Sequence, residues 1–164
     1  MGAGRWRGNE NTIWRNVTPT FIFKALHGQS LPLHNNGIAT RDFIYVEDTV
    51  DGLIACALKG QAGEAYNIAS GVETSIAELA SIINELTENH RGVGDIAART
   101  WDRSGKRFGD TTKASTQLGF TAKVNLPEGL SRTVTWTKEN IQFIKQSMRK
   151  HLRYVPEIET EFNL

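Results

Sequence analysis

Three stretches of this chain set arginine beside polar or aromatic residues: Arg41-Asp42, Arg99-Thr100-Trp101-Asp102 and Arg103-Ser104-Gly105-Lys106-Arg107. Arginine's planar fork grips phosphate oxygens through two parallel hydrogen bonds, with Coulomb attraction added. Two such side chains arriving from different segments would clamp a diphosphate. Spacing alone cannot make them converge, and a solvated loop arginine is the plainer reading of any one of them taken singly.

Other chemistries find less support. Gly2-Ala3-Gly4 and Gly8 imitate a dinucleotide-binding glycine fingerprint, but that motif needs a strand before it and a helix after it, and the third glycine stands one place late. His27, His34, His90 and His151 are scattered, with no finger-like or helical pairing, so no metal site is expected. Cys56 is alone, which excludes an internal disulfide and suits a reducing, cytoplasmic compartment. It falls on an apolar helical face and reads as packing rather than as a nucleophile.

The elements that must carry these residues alternate short strands with amphipathic helices. Val17 to Leu26 has the apolar density of a short buried helix, with Pro19 tolerated in its first turn. Leu31 to His34 predicts a short strand, and Asn36-Gly37 predicts a tight turn leading back into a second strand over 40–46. Val46, Val50, Leu53, Ile54, Ala57 and Leu58 recur at helical spacing up to Gly60, with Glu47 and Asp48 in the first turn.

Ala65 to Ala69 predicts another strand. Ser75-x-x-Glu78 is a capping box opening a helix whose Ile76, Leu79, Ile82, Ile83 and Leu86 face inward. Residues 89–109 are polar, with a short strand around 97–101. Thr111 to Leu118 predicts a short helix stopped by Gly119. Pro127 opens the longest helix, expected to run to about 150, after which a charged tail frays.

At 164 residues the chain can bury a real core, and 39% hydrophobic with 23% charged residues is a globular balance. A net charge of +1 gives no general affinity for nucleic acid or a membrane surface, and no apolar run is long enough to span a bilayer. The N-terminus has no apolar signal core, so export is not expected. The organisation expected is an arm over 1–15, a domain over 16–150 and a tail over 151–164.

The segment 31–54, LPLHNNGIATRDFIYVEDTVDGLI, resembles the carboxyl-terminal half of nucleotide-sugar epimerases and dehydratases of the extended short-chain dehydrogenase/reductase family. Further matches follow in order. Asn16-Val17-Thr18-Pro19-x-Phe21-Ile22 resembles the family's Asn-hydrophobic-x-Pro helix start. Tyr66-Asn67-Ile68-Ala69-Ser70-Gly71 resembles its Tyr-Asn strand. Arg99-x-x-Asp102, Asp110-x-x-Lys113-Ala114 and Leu118-Gly119-Phe120 resemble its downstream block, and Pro127-Glu128-Gly129-Leu130 to Trp136 its last helix. The likeness covers roughly residues 10–145.

That resemblance implies an α/β fold: a small mixed domain of amphipathic helices and short strands, without a complete Rossmann domain. It implies that Asn16 and the backbone of Val17 meet a sugar diphosphate, and that Pro32 and His34 border the nucleotide base. It further implies that Arg41 and Arg99 hold the diphosphate and that Asp102 bonds the ribose. His34 stands where the family often has an aromatic ring, and the block after Arg99 carries one extra residue before Asp110. Arg107 has no matching role, though it could add a phosphate contact.

The family's Tyr-x-x-x-Lys is not found: Tyr45, Tyr66 and Tyr154 are followed four places on by Thr49, Ser70 and Ile158. The expectation is therefore a nucleotide-sugar-binding part whose partner is an NAD-binding half. NAD serves the complete enzyme, no cofactor is bound by this chain alone, and the chain alone is inactive. Apolar surface left where that half would pack invites self-association. The alternatives are a non-catalytic scaffold or regulatory module of the same fold, and an anion- or RNA-binding module using the basic cluster at 99–107.

Overall fold

The computed structural model describes residues 16–96, 105–153 and 156–163. The arm over 1–15, Arg99, Asp102 and the strand expected around 97–101 lie outside the described residues.

Three apolar clusters organise these elements. The first joins helix α1 (Val17–Leu26), strand β1 (Leu31–His34), helix α3 (Ile76–Thr87) and helix α4 (Leu126–Glu139). Phe21, Ile22, Leu31, Leu79, Ile83 and Leu130 are its buried centre. The helical spacing in α3 works as expected, and Ser75 Oγ accepts the Glu78 N–H at 3.0 Å, satisfying an orphan donor of the first turn.

The second cluster seats helix α5 (Ile141–Arg149) and helix α6 (Glu157–Phe162) on Phe23 of α1. The long helix expected over 127–150 is in fact α4 and α5, broken at Asn140, whose φ of −108° and ψ of 17° leave the helical region. Asn140 Nδ2 donates to the Trp136 carbonyl at 2.9 Å and so closes the first helix. The fraying expected of the whole tail does not hold over 157–162, because Ile158 and Phe162 are buried.

The strand pairing differs from expectation. β1 pairs in parallel with β4 (Val93–Ile96), and β2 (Thr40–Asp42) pairs antiparallel with β3 (Glu73–Ser75). Asn36-Gly37 therefore connects two sheets and is not a hairpin turn. Asn35, Asn36 and Gly37 all have positive φ, and a Cβ on Gly37 would lie 2.7 Å from the Ala77 backbone nitrogen. β2 stops at Asp42, so the strand expected over 40–46 is cut short; Tyr45 then caps helix α2 (Val46–Lys59).

Residues 65–69 form no strand, since no described strand lies beside them. Side chains hold them instead: Tyr66 Oη donates to Gln117 Oε1 at 3.1 Å, and Asn67 Nδ2 to the Asp110 carbonyl at 2.9 Å. Lys113 bridges to Glu64 at 2.6 Å with its ammonium over the Tyr66 ring. Residues 111–119 turn back on Gly119 at φ 66°, as the sequence anticipated.

α2 corrects a second expectation. Its periodic apolar residues do share a face, but that face is exposed: Val46, Val50, Leu53, Ile54 and Leu58 range from 43% to 77% accessible. The side turned inward carries Asp48, Gly52, Ala55 and Cys56, against the third cluster of Ala114, Leu118 and Phe120. Asp48 is only 3% exposed and accepts the N–H groups of Lys123 and Val124, each at 3.0 Å. Among the described residues, no helix is long and apolar enough to cross a membrane, and no group of three or more His, Cys, Asp and Glu could hold a metal.

Candidate functional site

Arg41 and Asp42 are neighbours with opposite tasks. The Asp42 carboxylate turns back onto the protein. It accepts the Ser70 N–H at 2.8 Å, the Ser70 hydroxyl at 2.6 Å, the Gly71 N–H at 2.9 Å and the Gly109 N–H at 3.3 Å. One carboxylate thus fastens two loops to the end of β2.

Arg41 faces an open hollow of about 530 Å³ lined by Arg41, Asp42, Lys106, Arg107, Phe108 and Gly109. Its Nη1 donates to the carbonyls of Thr40 at 2.6 Å and Gly105 at 3.1 Å. These bonds lay the guanidinium across the junction between β2 and residues 105–107. Phe108 is 57% exposed beside it, an aromatic ring that nothing in the hydrophobic periodicity had singled out.

The segment 105–107 adds itself to β2 in parallel. Thr40 N–H donates to the Gly105 carbonyl at 3.1 Å, and Arg107 N–H to the Thr40 carbonyl at 3.2 Å, pairing Thr40 with Lys106. Paired residues point to the same side of a sheet, and their successors to the other. Both Thr40 and Lys106 reach Glu73, through a 2.7 Å hydrogen bond and a 3.5 Å ion pair. The Thr40 hydroxyl, with Lys106 beside it, holds the Glu73 carboxyl below the usual carboxylate range. Arg41 and Arg107 follow Thr40 and Lys106, and so share the opposite side.

The other residues singled out from the sequence fall elsewhere. Asn16 is exposed at the start of α1; its carbonyl accepts from the Thr20 backbone and hydroxyl, and its side chain makes no capping bond. Val17 packs half-buried on the first cluster. Pro32 and His34 alternate with buried Leu31 and Leu33, which puts both on the outer face of β1. The described lining of the hollow includes Arg107 and none of these four.

Comparison with known proteins gives the site a context. Residues 2–69 match the model of the NAD-dependent epimerase/dehydratase family. That match takes in less than half of this chain. The chain is 59% identical to the Bordetella bronchiseptica enzyme WbmF in its structure with NAD+ and UDP, with a TM-score of 0.79 over 90% of this chain and 44% of that one. It is 42% identical to the epimerase Mth375 of Methanothermobacter thermautotrophicus, with a TM-score of 0.78 over 82% of this chain and 40% of that one. It is 35% identical to a dTDP-glucose 4,6-dehydratase of Streptomyces niveus over 76% of this chain and 37% of the relative. The chain spans less than half the length of the epimerase/dehydratase relatives it matches.

Proposed function

We propose that this chain is the carboxyl-terminal, substrate-binding part of an NAD-dependent nucleotide-sugar epimerase or dehydratase. Its task is to hold the nucleoside diphosphate so that the sugar is presented to a catalytic half. The observation that carries the reading is Arg41, laid by two backbone carbonyls along the rim of an open hollow. A guanidinium fixed in this way offers directed hydrogen bonds as well as charge to a phosphate. Support comes from the likeness to WbmF, whose structure contains UDP, and to a dehydratase named for dTDP-glucose.

Asn16 and Val17 are assigned to the sugar-diphosphate end, Pro32 and His34 to the base, Arg99 to the diphosphate and Asp102 to the ribose. NAD supplies the hydride exchange in the complete enzyme, and no residue of this chain is assigned to it. Binding energy gathered on the nucleotide, away from the reacting carbon, orients the sugar.

The test is the melting temperature with and without UDP or dTDP. At a ligand concentration of about 100 times Kd, mass action adds roughly 2.7 kcal/mol, or about 5–10 °C for a chain of this size. Arg41→Ala should abolish most of that shift. No shift with either nucleotide at millimolar concentration would refute the reading.

A further inference from the structure

We infer that helix α6 is an acid-released strap, docked on α1 while the His27 ring is neutral and let go when that ring takes a proton. None of the residues involved lines the hollow, and the inference is independent of the nucleotide reading above.

α6 cannot hold itself. Six residues are far too few for a helix to be stable alone in water, so its order comes from what it touches. Ile158 and Phe162 supply the burial, at 0% and 1% exposure, against Phe23, Ile144 and Met148. Polar contacts complete the seat. Lys145 Nζ donates to the Phe162 carbonyl at 2.7 Å and to the Asn163 carbonyl at 3.2 Å, a cation at the helix C-terminus. Lys24 pairs with Glu161 at 3.2 Å, and its ammonium lies 5.2 Å from the centre of the Phe162 ring. A unit held by so few groups opens locally at a lower free energy than the whole fold.

His27 stands in that seat, with its ring centre 5.3 Å from that of Phe162 and the two planes at 87°. Its Nδ1 meets the Phe23 carbonyl at 2.8 Å; a carbonyl only accepts, so the neutral ring carries its proton on Nδ1. The atom that titrates is Nε2, which has no hydrogen-bond partner among the described residues.

A charge there is badly placed. The charged side chains at the contact are Lys24 from α1, Lys145 from α5 and Glu161 from α6, and the one carboxylate is already taken by Lys24. Glu157 and Glu159 of α6 are exposed, and the other histidine of these elements, His151, is buried in the turn after α5. Burial, with Lys145 adding to it against the pull of the Phe23 carbonyl, holds the His27 pKa below 6.5. An undocked ring takes its proton near 6.5, so acid favours release, by at most about tenfold per pH unit for a single proton. Release bares Phe23, Ile144 and Met148, an apolar patch that α6 otherwise covers.

The experiment is hydrogen exchange of the full chain at pH 7.5 and 5.5, corrected for the pH dependence of the chemical exchange step. Residues 157–163 are compared with residues 76–87 of α3 as an internal reference. In wild type the protection of 157–163 should fall several-fold, up to about tenfold, while α3 is unchanged. His27→Phe keeps an aromatic ring without a titrating nitrogen, and His27→Gln keeps polarity without one; both should hold α6 equally at the two pH values. The His27 ring titration, followed by NMR in wild type, should share its midpoint with the release, a readout that needs no variant.

Protection of 157–163 that does not change with pH, or that falls together with α3, would overturn the strap. So would protection that rises in acid, which would mean that the Phe162 ring face favours the imidazolium more than burial and Lys145 oppose it. A response that persists in both His27 variants but disappears in His151→Gln would assign the proton to the wrong ring.

Discussion

Ser70 gives the Asp42 carboxylate both its backbone N–H, at 2.8 Å, and its hydroxyl, at 2.6 Å. The neighbouring oxygen takes the N–H groups of Gly71 and Gly109. The carboxylate that follows Arg41 is thus the clasp that holds the loop before β3, and the loop bearing Phe108, against β2. Asp42→Ala removes acceptors from donors that are partly shielded from water. Hydrogen bonds to a charged group contribute roughly 1.5–3 kcal/mol, so a loss of about 2–4 kcal/mol is expected. Urea unfolding measures it, and a loss below about 0.5 kcal/mol would contradict the clasp. UDP binding should also weaken, since the hollow loses its floor.

Gly52 sits on the inward side of α2, where a Cβ would come within 2.4 Å of Ile68 Cγ2 and 3.2 Å of the Phe120 ring. Helix propensity alone favours Gly52→Ala by about 1 kcal/mol. The overlap with a β-branched side chain outweighs it, since overpacking of this kind costs about 1–3 kcal/mol. Net destabilisation of about 1–2 kcal/mol is expected, and Gly52→Ala combined with Ile68→Ala should be less than additive in a double-mutant cycle.

Thr18 Oγ1 is buried and has no hydrogen-bond partner among the described residues. A hydroxyl desolvated without compensation is unfavourable by about 1–3 kcal/mol. Thr18→Val keeps the shape and removes that atom, so the melting temperature should rise by roughly 2–4 °C. A fall of the same size would mean that the hydroxyl is satisfied in solution.

His27 packs at 4.4 Å from the Phe23 ring and 5.3 Å from the Phe162 ring, with Nδ1 donating to the Phe23 carbonyl at 2.8 Å. Burial, opposed by that carbonyl and assisted by Lys145, lowers its pKa from 6.5. Lys24 and Glu161 form an ion pair alongside. The unfolded chain therefore binds a proton more readily than the folded one. His27's contribution is complete above about pH 6.5 and is lost as the pH falls through the lowered folded value. His27→Phe should flatten the fall in melting temperature between about pH 7 and 5; an unchanged slope would assign the acid sensitivity to other groups.

Much of this arrangement was legible before any coordinates. α1, β1, α3 and the Gly119 stop follow from periodicity, capping and turn residues, because those signals act within a few residues. What was not legible depends on partners distant in the chain. Nothing in residues 31–46 says that β1 will choose Val93–Ile96 and β2 will choose Glu73–Ser75. Arg41 and Arg107 share a rim only because Thr40 pairs with Lys106. The spacing of Val50, Leu53 and Ile54 says which residues share a face of α2, but not what stands opposite that face.

That face gives the last prediction. Leu53 and Leu58 are 59% and 77% exposed, flanked by Val46, Val50 and Ile54 on the same helix. A contiguous stripe of this kind is rare on a monomeric surface and favours association. Its counterpart in the longer epimerase/dehydratase relatives is proposed to be covered by the catalytic half, and in this chain alone by a second copy. Leu53→Lys combined with Leu58→Lys should reduce the mass measured by sedimentation at high concentration while leaving the melting temperature within about 1–2 °C. The inward residues Asp48, Gly52 and Cys56, rather than the stripe, hold α2 to the third cluster. A loss of folding in the double variant would show that the stripe is packed in solution, and a wild type monomeric at all concentrations would remove the second copy.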